Sequence, residues 1–433
     1  MKGTIRRENN KGIAPMVTII IVVVIILVLA IAISAFLMIQ SNKKKADKQL
    51  QEQIEANRLL EEQQKQNKIE EAKQSNIDEE TGWDLDKVTK VISNDNIRVP
   101  VPKGYTASSI EGEKNVLTGF VIKEGNDGSK TSGVNEFVWI PIFSMDEIYD
   151  STNNMGQLWD FGTPASPNNP CTKRAYSSVQ NNGYREPDVV TNAMSGENST
   201  NGKDCDSAVS FLVEAGLSLE SNANDFKTQL QKEFADMIAS IKKYKGFYIG
   251  RYETGNLSLL QGNKAVVQKY NTDISSKDWY TQYKLSKTIA ANSNVTTSMI
   301  WGCQWDITLK WMQRYGSEDV RNFTTDSKLH GNFKDTELKY KVNSTSAEQT
   351  KAAGVQNIIP TGSSETTKVN NIYDMAGNVT DWTLEAAHAH SRTHRGGSFD
   401  TVSSYNSAGT RITTYPVNSS SANGSRASLY INL

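Results

Sequence analysis

From Ile13 to Ile39 the chain carries no charged residue, and nothing else in it limits the fold so sharply. At 1.5 Å per helical residue, such a run crosses a hydrocarbon core of roughly 30 Å with some tilt. Soluble helices of this length keep a polar face, and this run has none. It therefore predicts a transmembrane helix over residues 13–40 rather than a buried core helix. A cleaved secretory signal is the competing reading, because Ala30-Ile31-Ala32 has the small-residue spacing of a cleavage site. The apolar run continues past it through Phe36 and Leu37, which favours an uncleaved single-pass anchor.

Orientation is less constrained. Lys2, Arg6, Arg7 and Lys11 precede the span and Lys43, Lys44, Lys45 and Lys48 follow it, so the positive-inside count is tied. The large C-terminal part tips the expectation toward a cell-membrane protein with an extracytoplasmic head. Residues 1–12 form a short basic N-terminus. Residues 41–82 are mostly Lys, Gln, Glu, Asn and Ala. Leu50, Ile54, Leu59, Leu60 and Ile69 are too irregularly spaced for sustained heptads, so a charged single-helix stalk or linker is expected there rather than a stable coiled coil.

At Trp83 the composition becomes that of a folded domain, running to residue 433. The whole chain has a formal net charge of −1 with its basic residues dispersed, which argues against a nucleic-acid partner. Val116–Lys123 and Glu136–Ile142 are β-branched and aromatic runs bounded by turn residues, so they predict paired strands with a polar hairpin loop over Gly125–Gly133. Residues 150–206 and 319–360 lack periodicity and predict inserted loops. Cys171 and Cys205 lie in or beside the first insert, where an extracytoplasmic location would let them form a disulfide; two independent thiols are the alternative.

Phe226, Leu230, Phe234, Met237, Ile238, Ile241 and Tyr244 recur at helical spacing behind Asn224, predicting an amphipathic core helix. Arg251 and Glu253 follow on one strand face, spaced for an ion pair. Thr296-Thr297-Ser298 offer capping side chains before a second core helix that carries Trp301, Trp305, Leu309 and Met312, with Cys303 as a buried thiol. His388, His390 and His394 fall close together, but no carboxylate or cysteine spacing accompanies them, so they read as a loop rather than a metal site.

The densest motif is Asn371-Ile372-Tyr373-Asp374-Met375-Ala376-Gly377-Asn378-Val379-Thr380-Asp381-Trp382-Thr383, followed by Arg395-Gly396-Gly397-Ser398-Phe399. Glycines that permit turning or close approach, Asn and Asp side chains that bond local backbone, and an aromatic anchor describe an irregular but packed loop. This pattern resembles the formylglycine-generating enzyme (sulfatase-modifying factor) family. The ending Arg426-Ala427-Ser428-Leu429-Tyr430-Ile431 is similar to the family's closing strand. The resemblance implies a C-type-lectin-like α+β head with long structured loops, in which Trp382, Arg395, Gly396, Gly397 and Arg426 are framework positions. It also implies a structural calcium ion held by the side chains of Asp374 and Asp381 and the carbonyls of Gly377 and Val379, a hard-oxygen donor set.

The family's catalytic members use a cysteine pair after the Arg-Gly-Gly-Ser motif to bind copper, and this chain has no cysteine after Cys303. No copper is expected. The leading expectation is a membrane-anchored binding or display protein with a catalytically inactive head. Tyr405, Asn406, Arg411, Tyr415, Asn418 and Asn423, in a Tyr-, Ser- and Asn-rich stretch, would contact a surface protein or glycan. Two alternatives stand beside it. One is an oxygen-dependent formylglycine-generating-type oxidase, which needs Cys171 or Cys205 beside the Arg395 loop. The other is a minor pilin-like subunit, because Lys11-Gly12-Ile13-Ala14-Pro15 resembles a prepilin leader, although Val17 stands where pilins usually carry Glu.

Overall fold

The computed structural model of the protein describes residues 13–77, 83–162, 171–174, 185–190, 206, 223–256, 264–272, 275–290, 292–388 and 390–433. It divides into two compact units, Met1–Glu71 and Ala72–Leu433. The prepilin-like residues 1–12 and Cys205 fall outside the described residues.

The first unit is built on α1 (Ile13–Ile77), a single unbroken helix. Anchor and stalk were expected as successive elements, yet one helix carries both. No Gly or Pro occurs between Pro15 and Gly82, and Lys, Gln, Glu and Ala are strong helix formers. Ile19 to Ile39 expose apolar side chains on every face. By length and composition the helix can cross a membrane, a property that a signal sequence near an N-terminus shares.

The second unit is α+β and rich in curled sheet. Strands β1 (Val88–Ile92) and β2 (Arg98–Pro102) make an antiparallel hairpin. After them come β3 (Tyr105–Ala107), β4 (Val121–Glu124), β5 (Glu136–Pro141), the helix α2 (Ala223–Tyr244) and β6 (Gly246–Gly250). Helix α3 (Trp279–Ser286), strand β7 (Val295–Met299) and helix α4 (Gly302–Tyr315) follow, then β8 (Thr380–His388), β9 (Ser391–Arg395), β10 (Arg411–Thr414), β11 (Asn423–Ser425) and β12 (Ala427–Ile431). A six-stranded sheet runs in the order β7-β12-β6-β5-β4-β3, and all its pairs are antiparallel. A four-stranded sheet runs β10-β9-β8-β11, with β8 and β11 parallel.

The expected hairpin forms between β4 and β5, and β5 is buried along its whole length, as its apolar residues on both faces require. The seven stripe residues of α2 are all buried in the main core, except Tyr244, which is buried beside it. Five tryptophans, Trp279, Trp301, Trp305, Trp311 and Trp382, join them. One expectation is corrected. Thr296, Thr297 and Ser298 are not caps; they form β7, pairing with Tyr430, Leu429 and Ser428. The start of α4 is instead held by the Gln304 side chain, which accepts from Trp301 N at 3.1 Å, and by the Glu186 carboxylate.

Candidate functional site

The motif is irregular and packed, as expected, over residues 374–379 and 396–399, whereas its flanks are strand: Trp382 lies in β8 and Arg395 ends β9. Its glycines behave as the sequence suggests. A Cβ on Gly377 would meet the Asn332 backbone at 2.5 Å, and one on Gly397 would meet Asn406 O at 2.0 Å, with both residues at positive φ.

Sheet register then creates an electrostatic problem. Arg395 of β9 pairs directly with Arg411 of β10, and like charges facing each other across strands repel. Both guanidiniums are buried. Asp306, on α4, bridges them: Oδ1 accepts from Arg395 Nη1 at 2.9 Å, and Oδ2 pairs with Arg411 Nη2. Glu385, on β8, accepts from Arg411 Nε at 3.0 Å and lies 4.0 Å from Arg395 Nη1. Burial pulls the Arg395 guanidinium down, and the Arg411 charge adds to the shift. Burial likewise raises the Glu385 carboxyl, against the pull of Arg411 and Arg395.

The remaining donors of this cluster reach the backbone of the following loop. Arg395 donates to Thr410 O at 2.9 Å and Gly409 O at 3.1 Å, and Trp305 Nε1 donates to Ala408 O at 3.0 Å. Ala408 N donates to Ser327 Oγ at 2.9 Å, Ser407 Oγ to Thr324 O at 2.6 Å, and Ser403 N to Asp335 Oδ1 at 2.9 Å. Between these anchors Tyr405 stands 84% exposed, with the half-buried Asn406 beside it. Beyond β10, the Tyr415 ring packs on His390 with centroids 5.4 Å apart, and Asn418 Nδ2 donates to Thr414 Oγ1 at 2.7 Å.

Four of the six expected contact residues, Tyr405, Asn406, Tyr415 and Asn418, are thus at least partly accessible. Arg411 and Asn423 are turned inward. The Arg411 side chain is 5% exposed and committed to Asp306 and Glu385, while buried Asn423 accepts from Thr380 Oγ1 at 2.9 Å beside the parallel β8–β11 pair. The acids that hold this site, Asp306 and Glu385, carried no spacing signal in the sequence.

The residues expected around calcium are arranged differently from that expectation. Asp374 accepts from Thr361 Oγ1 at 2.9 Å and Gly362 N at 2.7 Å. Asp381 Oδ2 accepts from Arg426 Nε at 3.0 Å, so its carboxylate already has a cation. Arg426 also donates to the carbonyls of Gly250, Tyr373 and Asp374. Gly377 N donates to Gly396 O, and Val379 N to Glu253 Oε1. A guanidinium therefore already neutralises Asp381, while Oδ1 of buried Asp374 carries no hydrogen bond. Among the described residues no group of three or more His, Cys, Asp or Glu is arranged to hold a metal.

The expected Arg251–Glu253 pair is replaced. Arg251 bonds Glu113 and Glu136 at 2.7 Å each, and Glu253 turns to Asn378 and Val379. The histidine trio is split as well: His394 is buried against Trp382 and pushed down to about 4 by burial, whereas His390 packs on Tyr415. Cys171 is a free thiol that burial pushes up to about 12; its proposed partner Cys205 lies outside the described residues. Cys303 is raised by burial and by Glu186.

No protein-family model and no curated protein matches this chain. Among solved structures it is similar to a crystal structure of CarF, at TM-score 0.27 and 12% identity over 43% of this chain and 87% of that one. It is also similar to Treponema denticola variable protein 1, at TM-score 0.25 and 15% identity over 69% of this chain and 97% of that one. Likeness at this level carries no argument about fold or function.

Proposed function

We propose that the chain is a membrane-anchored binding or display protein whose extracytoplasmic head recognises a protein or glycan through residues 403–423. In this reading the head is a formylglycine-generating-enzyme-like scaffold of C-type-lectin type that does no chemistry. One observation carries the proposal: the exposed Tyr405 lies in a loop held on both sides, with Ser403 and Ser407 bonded to Asp335 and Thr324 and the carbonyls of Gly409 and Thr410 bonded to Arg395 of the buried ion cluster. A loop ordered before binding loses less conformational freedom on contact, and Tyr supplies large contact area with few rotatable bonds. The oxidase alternative needs Cys171 or Cys205 beside the Arg395 loop; burial pushes the Cys171 thiol up to about 12, and Cys205 lies outside the described residues. The pilin-like alternative rests on Lys11-Gly12-Ile13-Ala14-Pro15, of which Lys11 and Gly12 lie outside the described residues.

The test is to present the full-length protein in detergent micelles to glycan and cell-surface ectodomain arrays, alongside Tyr405→Ala and Tyr415→Ala. Binding to at least one array member, weakened tenfold or more by one of the substitutions with unchanged melting, is the expected outcome. An absence of ligands on both arrays, or full binding by both variants, refutes the proposal.

A further inference from the structure

A second feature shares no residue with the 403–423 face. A cleft of about 350 Å³ opens between β4, β5, the residues just after β6 and the segment around Tyr373. That volume is at the small end of the range for ligand pockets. Its inner layer is a buried charge cluster. Arg251 Nη1 donates to Glu136 Oε2 and Nη2 to Glu113 Oε1, both at 2.7 Å, and Lys123 Nζ lies 3.5 Å from Glu113 Oε2.

The aromatic wall is a stacked pair, Tyr252 and Tyr373, with centroids 5.3 Å apart. Lys269 and Lys368, at the rim, are both held by Glu365 and lie 5.1 and 5.8 Å from the centre of the Tyr373 ring.

Two polar atoms on the lining residues are left without a hydrogen-bond partner: Glu136 Oε1, an acceptor on a side chain only 1% exposed, and Arg251 Nε, a donor. Both atoms are buried, and buried polar groups are rarely left unmet; the cleft, which both residues line, is the side from which we take a partner to reach them. A simple anion answers only the guanidinium N–H, and a simple cation answers only the carboxylate oxygen. An occupant that carries an ammonium and a carboxylate on neighbouring atoms answers both. The lining also sets cations against carboxylates at both depths, which disfavours a ligand with a large net charge of either sign.

We propose that this cleft is a binding site for a small zwitterion of the α-amino-acid class, with its ammonium on Glu136 Oε1 and its carboxylate toward Arg251 Nε. The site is independent of the recognition loop and stands whether or not that loop binds a partner.

Isothermal titration of the full-length protein in detergent tests it, with glycine, L-glutamine, L-glutamate and L-arginine as probes and inorganic phosphate and ethylammonium as single-charge controls. The expected result is binding of at least one amino acid with a Kd of about 1 mM or tighter, with both controls at least tenfold weaker. Glu136→Gln should weaken binding at least tenfold. Because that variant alters a buried pair, Thr131→Trp supplies a second test: it fills the exposed rim without touching the ion cluster, and should abolish binding while leaving the melting temperature unchanged. The proposal is overturned if no amino acid binds, which would leave the cleft to water only. It is overturned equally if a control binds as well as the amino acids, or if both variants bind normally.

Discussion

Asp306→Asn isolates the contribution of the buried cluster that holds the loop. The substitution preserves volume and one acceptor oxygen, but it removes the charge shared by Arg395 and Arg411 and turns an amide donor toward a guanidinium donor. Asp306 also accepts from Trp159 N at 2.9 Å, so a third bond is exposed to the change. Removing one partner of a buried ion pair typically costs about 3–5 kcal/mol, because the remaining charge stays buried. Glu385 remains 3.0 Å from Arg411 Nε, which places the expected loss at the low end, about 3 kcal/mol. All eight tryptophans lie at or after Trp83, so tryptophan fluorescence of the full-length protein in detergent reports the head and not α1. With a urea m-value of about 3 kcal/mol/M, the unfolding midpoint should fall by about 1 M. The same variant should weaken any ligand of residues 403–423, since Arg395 holds the carbonyls of Gly409 and Thr410. A midpoint shift below about 0.2 M would refute the view that this cluster holds the head together.

Two further outcomes follow from the same geometry. Burial, reinforced by the Glu385 charge, pushes the Glu186 carboxyl up to about 8 from a reference of 4.5, so between those values the folded state binds more protons than the unfolded one. Stability should therefore decline as pH rises from 4.5 to 8, by at most about 5 kcal/mol, and Glu186→Gln should flatten that slope in urea titrations run at pH 5 and pH 8; equal slopes in both proteins would show that the carboxyl is not held protonated. Gly397→Ala places a Cβ 2.0 Å from Asn406 O at a φ of +70°, and should cost at least about 2 kcal/mol in a thermal melt while selectively loosening the Tyr405 loop; an unchanged melting temperature would show that the backbone there can relax.

Periodicity and punctuation made some elements legible and left others hidden. The apolar stripe of α2 follows from a pattern of period 3.6 over seven positions, and the β4–β5 hairpin from β-branched and aromatic runs bounded by turn residues. Helix α3 has only eight residues, and its buried face mixes Trp279, Tyr280, Tyr283 and Gln282, so no clean stripe marks it. Thr296, Thr297 and Ser298 match the chemistry of a helix cap, and only pairing with β12, more than a hundred residues away, makes them a strand. In that case a tertiary contact overrode a local preference.

The stretch from 403 to 423 divides along the same line. Tyr405, Tyr415 and Asn418 keep at least part of their side chains accessible, as a polar stretch rich in turn residues suggests. Arg411 belongs to the same stretch and has the same apparent chemistry, yet it points inward. Its direction is decided by the register that sets it opposite Arg395 and by two acids on other elements, Asp306 on α4 and Glu385 on β8. A buried charge is stable only where its counter-charges converge, and convergence belongs to the fold rather than to any local window of sequence. Arg251 and Glu253 illustrate the same rule: strand spacing suits them to each other, but Glu113 and Glu136 reach Arg251, and the Asn378–Val379 turn takes Glu253. The positions at which local pairing fails are therefore the ones that tie distant segments together. In the second unit those ties run beneath residues 403–410 and beneath the Arg251 cleft.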